Sequence, residues 1–257
     1  MLAADSMVSL EGQVQTPQGM QRGIVQNFSY ANKVSRIKDY PIGVMSWGVG
    51  SINDRSIQSL IMEFEHTFAP AAENQNFEVR IIADQLLDFI KQRYDATFVA
   101  NNQHPALGLF IGGFSHGAFF AEEYSYEFPG SQTWLNVRPD KAGGRPSFGI
   151  NWYGQNGPLV RLIKGYDLHG LDELINRGVD QALIQKWVED NVSQWPIAFD
   201  GMPIQDAIEL ADFAVKITIG MFRFGLGPPL CGGDVDVAVI TPTAFQWAAR
   251  KQWAIKS

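Results

Sequence analysis

The stretch Leu2-Ala3-Ala4-Asp5-Ser6-Met7-Val8 opens the chain with apolar residues on both sides of one acidic residue. Most domains begin with a few dispensable polar residues. This chain instead has a β-like pattern from its first residues, which predicts a strand over 2–10. The abrupt hydrophobic start indicates that the chain begins inside a strand.

Two blocks of predicted strands and helices follow this first strand. The first block has strands over 23–30, 33–37 and 42–47, and then helices over 54–68 and from 79 to about 94. The polar segment 11–22 predicts a hairpin loop or an insertion. The second block has strands over 107–113, 120–128, 148–153 and 235–240, and helices over 171–187 and 203–221. Runs of strands alternating with runs of helices favour an α+β fold, with antiparallel sheets and helices layered outside them.

Two apolar stripes define the first pair of helices. Ile57, Leu60, Ile61, Phe64 and Phe68 recur at helical spacing in the first helix. The second helix has its own stripe at the same period, listed here: Val79, Ile82, Ala83, Leu86 and Ile90. We expect the two helices to pack side by side on a sheet.

Composition narrows the classes of protein that the chain can belong to. The formal net charge is −7, and no run of Lys or Arg interrupts the acidity, which argues against a nucleic-acid surface. One Cys in 257 residues excludes an internal disulfide and a Cys-rich metal site, and the four His lack metal-ligand spacing. No apolar run is long enough to span a membrane, and the start lacks the basic residues of a signal peptide. We therefore expect one cytoplasmic globular domain over 1–257, without cofactor, metal, membrane or nucleic acid.

A short motif, Gly113-Phe114-Ser115-His116-Gly117, matches the G-x-S-x-G pattern of a serine hydrolase. That enzyme needs the serine on a sharp strand-to-helix turn, with an acid and a histidine later in the chain, nominally Asp167 and His169. An acid and a histidine two residues apart rarely converge as a triad. Residues 118–128 also alternate like a strand, so a glycine-rich hairpin is the preferred interpretation.

Three further side chains are candidates for chemistry. Asp5 and Lys33 lie on neighbouring predicted strands, where such a pair is either a structural ion pair or a proton relay beside a nucleophile. Cys231, before Gly232-Gly233, is either a reactive thiol or a small packing residue. Composition does not decide between these alternatives.

Several short segments, taken in order, resemble the proteasome β-type family of N-terminal nucleophile hydrolases. Leu2-Ala3-Ala4-Asp5-Ser6 is similar to the family's A-A-D-S element, and Lys33-Val34-Ser35-Arg36-Ile37 to its K-V-x-x-I strand. The turn at Gly48-Val49-Gly50-Ser51 and the closing Gly232-Gly233-Asp234-Val235-Asp236-Val237 also match in order.

The resemblance implies a four-layer αββα sandwich of two antiparallel sheets. It also implies threonine-type peptide hydrolysis in a homo-oligomeric ring that acts on peptides or unfolded proteins, without cofactor. Asp5 matches the catalytic Asp, Lys33 matches the lysine that lowers the barrier electrostatically, and Gly48 lies where a backbone N–H binds the oxyanion.

The chain departs from the family at its nucleophile. In the family this residue precedes the catalytic Asp by about sixteen positions, whereas four residues precede Asp5, and none is Thr, Ser or Cys. Pro228 and Cys231 stand where the family has a supporting Asp and Ser. We expect the chain as given to be inactive. Either the true start lies upstream of Met1 and supplies the nucleophile, or the chain is a non-catalytic assembly subunit.

Overall fold

The computed structural model describes residues 1–16, 19–67, 76–130, 134–137, 140–141, 145–192 and 194–252. Phe68, predicted to extend the first helical stripe, lies outside the described residues. The strands are β1 (Leu2–Ala4), β2 (Val8–Thr16), β3 (Gly19–Phe28), β4 (Val34–Arg36), β5 (Ile42–Gly48), β6 (Ser51–Ile52), β7 (Arg55–Ser56), β8 (Leu107–Gly113), β9 (Glu122–Phe128), β10 (Leu135–Asn136), β11 (Asp140–Lys141), β12 (Arg145–Pro146), β13 (Asp236–Thr241) and β14 (Ala244–Ala249). The helices are α1 (Ile57–Thr67), α2 (Val79–Thr97), α3 (Gly157–Leu159), α4 (Leu168–Asn176), α5 (Gln181–Asn191) and α6 (Ile204–Phe224). A 3₁₀ turn, Val99–Asn101, follows α2, and a π-helical turn, Val160–Lys164, continues α3.

A five-stranded antiparallel sheet lies at the centre of the larger core, with strand order β10-β9-β8-β5-β4. Both predicted stripes face inward, and their described residues are buried with the sheet in one hydrophobic cluster. All seven residues of β8 are buried, because apolar groups cover both faces of that strand. Burial of this kind contributes about 25 cal/mol per Å² of apolar surface removed from water, so it fixes α1 and α2 on the sheet.

A second, three-stranded sheet brings the first described strand beside the last two, in the order β1-β13-β14. Leu2 pairs with Ala238 and Ala4 with Asp236. Leu2 and Ala238 are buried in a second cluster, which also contains Val34 and Phe110 of the five-stranded sheet. The two sheets therefore share a core.

The helices of the second half differ from the prediction. The single helix predicted over 171–187 is wrong, because the chain breaks at Gly178, where φ is +87°, and begins α5 after Asp180. The Asp180 carboxylate accepts hydrogen bonds from the first free N–H groups of α5 and so caps the helix. Pro203 is the N-cap residue of α6 and not its first helical residue. The strand predicted over 148–153 is also wrong, since that segment has no strand.

The polar segment 11–22 is largely strand, contrary to the predicted loop. β2 and β3 pair continuously from Val8 opposite Phe28 to Thr16 opposite Gly19, with one bulge after Leu10. The described side chains of this hairpin are all exposed or half-exposed. Backbone pairing satisfies the N–H and C=O groups without a buried face, which is why apolar alternation revealed strands over 2–10 and 23–30 but not the strand residues within 11–22.

The described residues together form a mixed α+β fold with six helices and several antiparallel sheets. This agrees with the predicted class. Each helix in the described ranges is too short or too polar to cross a bilayer.

Candidate active site

The end of β1 places Asp5 against Lys33. The Nζ atom of Lys33 donates to Oδ1 of Asp5 at 2.6 Å. The Asp5 side chain is 9% exposed and that of Lys33 is 23% exposed, so most of both side chains is removed from solvent. Their short, partly desolvated contact makes the pair a candidate for chemistry.

Two backbone groups hold the Asp5 carboxylate in addition to Lys33. Its Oδ2 atom accepts from Met7 N at 3.1 Å and from Gly232 N at 3.0 Å. Three donors from separate parts of the chain fix the orientation of one carboxylate. Asp5 therefore presents Oδ1 to Lys33 in a defined geometry.

The residues next to Asp5 secure the segment that precedes β13. Ser6 is fully buried, and its Oγ donates to the carbonyl oxygen of Asp234 at 2.6 Å. Its N–H donates to the Gly232 carbonyl at 3.0 Å. Gly233 has a φ of +75°, and a Cβ there would lie 2.6 Å from the Ser29 carbonyl oxygen. Only glycine fits this position without moving the backbone.

Lys33 is positioned by backbone bonds on both sides. Ala31 N donates to the Ser6 carbonyl at 2.8 Å, and Ser46 N donates to the Lys33 carbonyl at 3.1 Å. The loop before β4 is thereby held between the end of β1 and strand β5. This places the ammonium opposite Asp5.

Gly48 ends β5, two residues beyond the strand position that bonds to Lys33. Its φ is +85°, and a Cβ there would lie 2.2 Å from the carbonyl oxygen of Ala106. A Cβ on Gly50 would lie 2.8 Å from a methyl group of Val8, so this turn lies beside the start of β2. Asp5 and Lys33 are in direct contact. Gly48 is linked to them through β5, because Ser46 of the same strand donates a hydrogen bond to the Lys33 carbonyl.

Cys231 is a third member of the Asp5–Lys33 cluster that sequence reasoning did not place there. Burial, followed by the negative charge of Asp5, raises the pKa of the Cys231 thiol to about 12. Lys33 acts in the opposite direction and lowers this pKa. The thiol is therefore protonated at neutral pH, and only the thiolate is a nucleophile. In the sequence, the indication that Cys231 lies near Asp5 is its position before Gly232-Gly233, just ahead of β13, the strand that pairs with β1.

Ser115 has a structural role that its motif did not reveal. It follows β8 and leads through a turn to β9, so the strand-to-helix elbow is wrong and the preferred hairpin is confirmed. Its Oγ accepts from Val79 N at 3.0 Å, which caps α2, and donates to Glu122. Tyr124 donates to the same carboxylate at 2.8 Å, and burial raises the pKa of Tyr124 to about 12.

A second ion pair, also missed from the sequence, lies one strand away from Asp5. Lys251 donates through Nζ to the Asp236 carboxylate and through its backbone N at 2.9 Å. Their side chains are 1% and 3% exposed. Asp236 pairs across the sheet with Ala4. The pair ties the segment after β14 to β13.

The cluster as a whole can orient a carboxylate and present a positive charge, but its neighbouring hydroxyl and thiol are not available for attack. The Ser6 hydroxyl is buried and already donates to a backbone carbonyl. The Cys231 thiol is held protonated. A nucleophile that uses this pair has to come from another part of the protein or from a bound reactant.

Comparison with known proteins gives a distant structural likeness and no match to a family. No protein-family model matches the chain, and no curated protein matches it. Among solved structures, it is similar to Anbu (ancestral beta-subunit) from Yersinia bercovieri, with a TM-score of 0.47 and 12% identity. The match covers 95% of this chain and 80% of that chain.

Proposed function

We propose that the chain is a proteasome-like subunit of the threonine-type peptidase family, built as a four-layer αββα sandwich. It acts in a cytoplasmic homo-oligomeric ring on peptides or unfolded proteins. The observation that carries this proposal is the Asp5–Lys33 contact of 2.6 Å, with Asp5 fixed by two further backbone donors. The layer order is supported by a core between the two sheets, by α1 and α2 on the far face of the larger sheet, and by contacts of α6 with β1 and β13.

The chemistry assigns a separate task to each part of the site. Asp5 orients Lys33, and the ammonium stabilises the negative charge that develops when a hydroxyl loses its proton to an α-amine. Gly48 is the candidate backbone donor for the oxyanion. The four residues before Asp5 carry no hydroxyl or thiol, so cleavage by this mechanism requires a nucleophile from upstream of Met1.

The test compares two forms of the protein on fluorogenic peptides. One form is Met1–Ser257, and the other is extended by the in-frame codons upstream. We expect cleavage only in the extended form, with loss of at least about 100-fold in Lys33→Met and Asp5→Asn. Asp84→Asn, which removes an exposed helical ion pair with Arg80, is the matched control and should retain full activity. Cleavage that persists in both site variants would overturn the role assigned to the pair.

The alternative is a non-catalytic assembly subunit of the same fold. The buried Ser6 hydroxyl and the protonated Cys231 thiol favour it, because neither neighbour of the ion pair can attack a substrate. It predicts oligomers by sedimentation, no peptide cleavage, and no labelling by threonine-directed electrophiles in the extended form. An upstream stop codon or an extension without Thr, Ser or Cys supports this alternative.

A further inference from the structure

A cleft of about 950 Å³ lies beside strands β9 and β10, at one end of the strand order of the five-stranded sheet. Its walls come from Ser125 of β9, from Asn136 and Val137 at β10, from the π-helical turn, and from residues of the segments 149–153 and 194–199. A volume of this order accommodates several residues of peptide or a small organic ligand. None of the candidate catalytic residues is part of its walls.

Aromatic rings and amide side chains dominate the walls. Trp152, Trp195 and Phe199 supply the rings, and Trp195 is 72% exposed at the surface. Asn151 and Gln194 contribute amides, which have both donor and acceptor atoms. Peptide backbone also presents N–H and C=O groups, and β10 is last in the described strand order of its sheet, the kind of strand along which extended peptides commonly bind.

The charge of the cleft is opposite to that of the protein. Lys164 is the one ionisable cation on its described walls, and no Asp or Glu lies among them. The Lys164 Nζ atom donates to the neutral amide of Gln194 at 2.9 Å. The whole protein carries a formal charge of −7. A local positive charge without a carboxylate beside it in the walls favours an anionic ligand.

An aromatic stack connects the cleft with the strand that leads to the candidate active site. Tyr153 lines the cleft and stacks on Trp47, with ring centroids 4.3 Å apart and an angle of 18°. Trp47 immediately precedes Gly48 on β5. A chain seated in the cleft would therefore contact a ring that packs on the strand bearing the candidate oxyanion donor.

We propose that this cleft binds an extended peptide segment that carries a carboxylate next to an aromatic side chain. The carboxylate pairs with Lys164, the aromatic side chain packs on Trp195, and the amides bind the peptide backbone. The choice of a peptide as ligand rests on the proposed function, but binding itself needs neither Asp5 nor Lys33.

The test is calorimetric titration of Met1–Ser257 with N-acetylated hexapeptide amides. One peptide contains Glu and Phe, a second has Lys in place of Glu, and a third has Ala in place of Phe. We expect the Glu/Phe peptide to bind at least about tenfold more tightly than the Lys peptide at low ionic strength. Lys164→Gln should weaken its binding about fivefold, and Trp195→Ala should remove the advantage of Phe over Ala.

Lys186→Gln on the exposed face of α5 is the matched control and should bind as the parent protein does. Equal affinity for the Glu and Lys peptides, or an unchanged affinity in Lys164→Gln, would overturn the proposal. Binding of a neutral oligosaccharide in preference to all three peptides would also overturn it. Binding without cleavage by the extended form contradicts the proposed function alone, whereas cleavage without any Lys164 effect contradicts this inference alone.

Discussion

The Cys231 thiol reports on the geometry of the Asp5–Lys33 cluster without requiring catalysis. An ordinary thiol is about one quarter thiolate at pH 8, whereas a pKa of about 12 leaves about one molecule in 10,000 ionised. The higher pKa makes the thiolate roughly 40-fold more nucleophilic. The two effects together predict that a disulfide reagent labels Cys231 about 60-fold more slowly in the folded protein than in the denatured chain.

Variants of the ion pair should change this labelling rate in opposite directions. Asp5→Asn removes a charge that raises the pKa of Cys231, so the pKa falls and labelling accelerates. Lys33→Met removes the charge that lowers this pKa, so labelling slows further. The assay follows release of thionitrobenzoate over time for the parent, each variant and the denatured chain. The parent rate should rise about tenfold per pH unit between about pH 8 and 10.

Opposite signs separate an electrostatic effect from a structural one. If both variants accelerate labelling to the same extent, the substitutions have opened the region, and the argued geometry is wrong. A parent rate that reaches a plateau near pH 9 would contradict the prediction, because it would show that Cys231 is an ordinary thiol. Circular dichroism of each variant provides the control for folding.

Three further predictions concern groups outside this cluster. Lys251→Met leaves the buried Asp236 carboxylate without its cation, so we expect the free energy of unfolding, measured by urea titration, to fall by about 3 kcal/mol. The control is Lys186→Met, which removes an exposed ion pair and should lower the free energy of unfolding by less than about 1 kcal/mol. Gly48→Ala places a Cβ 2.2 Å from the Ala106 carbonyl oxygen at a residue with positive φ, so the free energy of unfolding should fall by at least about 2 kcal/mol. An unchanged melting temperature would contradict this prediction. Ser115→Ala removes the acceptor at the start of α2 and should cost about 1 kcal/mol; loss of an ester-hydrolysing activity in this variant would instead restore a catalytic role.

Apolar periodicity predicted the parts of the fold whose stability comes from one buried face. The stripe through Ile57 and Leu60 and that through Ile82 and Leu86 both became buried faces of helices. Strands were predicted over 2–10 and 23–30, but the strand residues of β2 and β3 within the polar segment 11–22 were missed, because the hairpin has no buried face there for a pattern to reveal. The break at Gly178 was missed because the apolar residues on either side of it continue at a helical spacing, while the glycine and the Asp180 cap decide the local backbone.

The candidate site could be predicted only in part, for reasons of sequence distance. Asp5 and Lys33 were singled out by the motifs around them. The partner Gly232, by contrast, is 227 positions from Asp5, and the contact exists only because β1 pairs with β13. Cys231 enters the cluster in the same way. Lys251 and Asp236 carried no signal, since burial of both charges depends on how the segment after β14 returns to the sheet.

The hydrogen bond from Gly232 N to the Asp5 carboxylate determines when, during synthesis of the chain, the surroundings of Asp5 are completed. A ribosome synthesises Asp5 227 positions before its partner Gly232, and elongation adds about 5–20 residues per second. During that interval the Asp5 carboxylate lacks one of its two backbone donors, and β1 lacks its neighbouring strand. The Asp5 carboxylate therefore gains its full set of donors, and β1 its neighbouring strand, only after translation has passed β13.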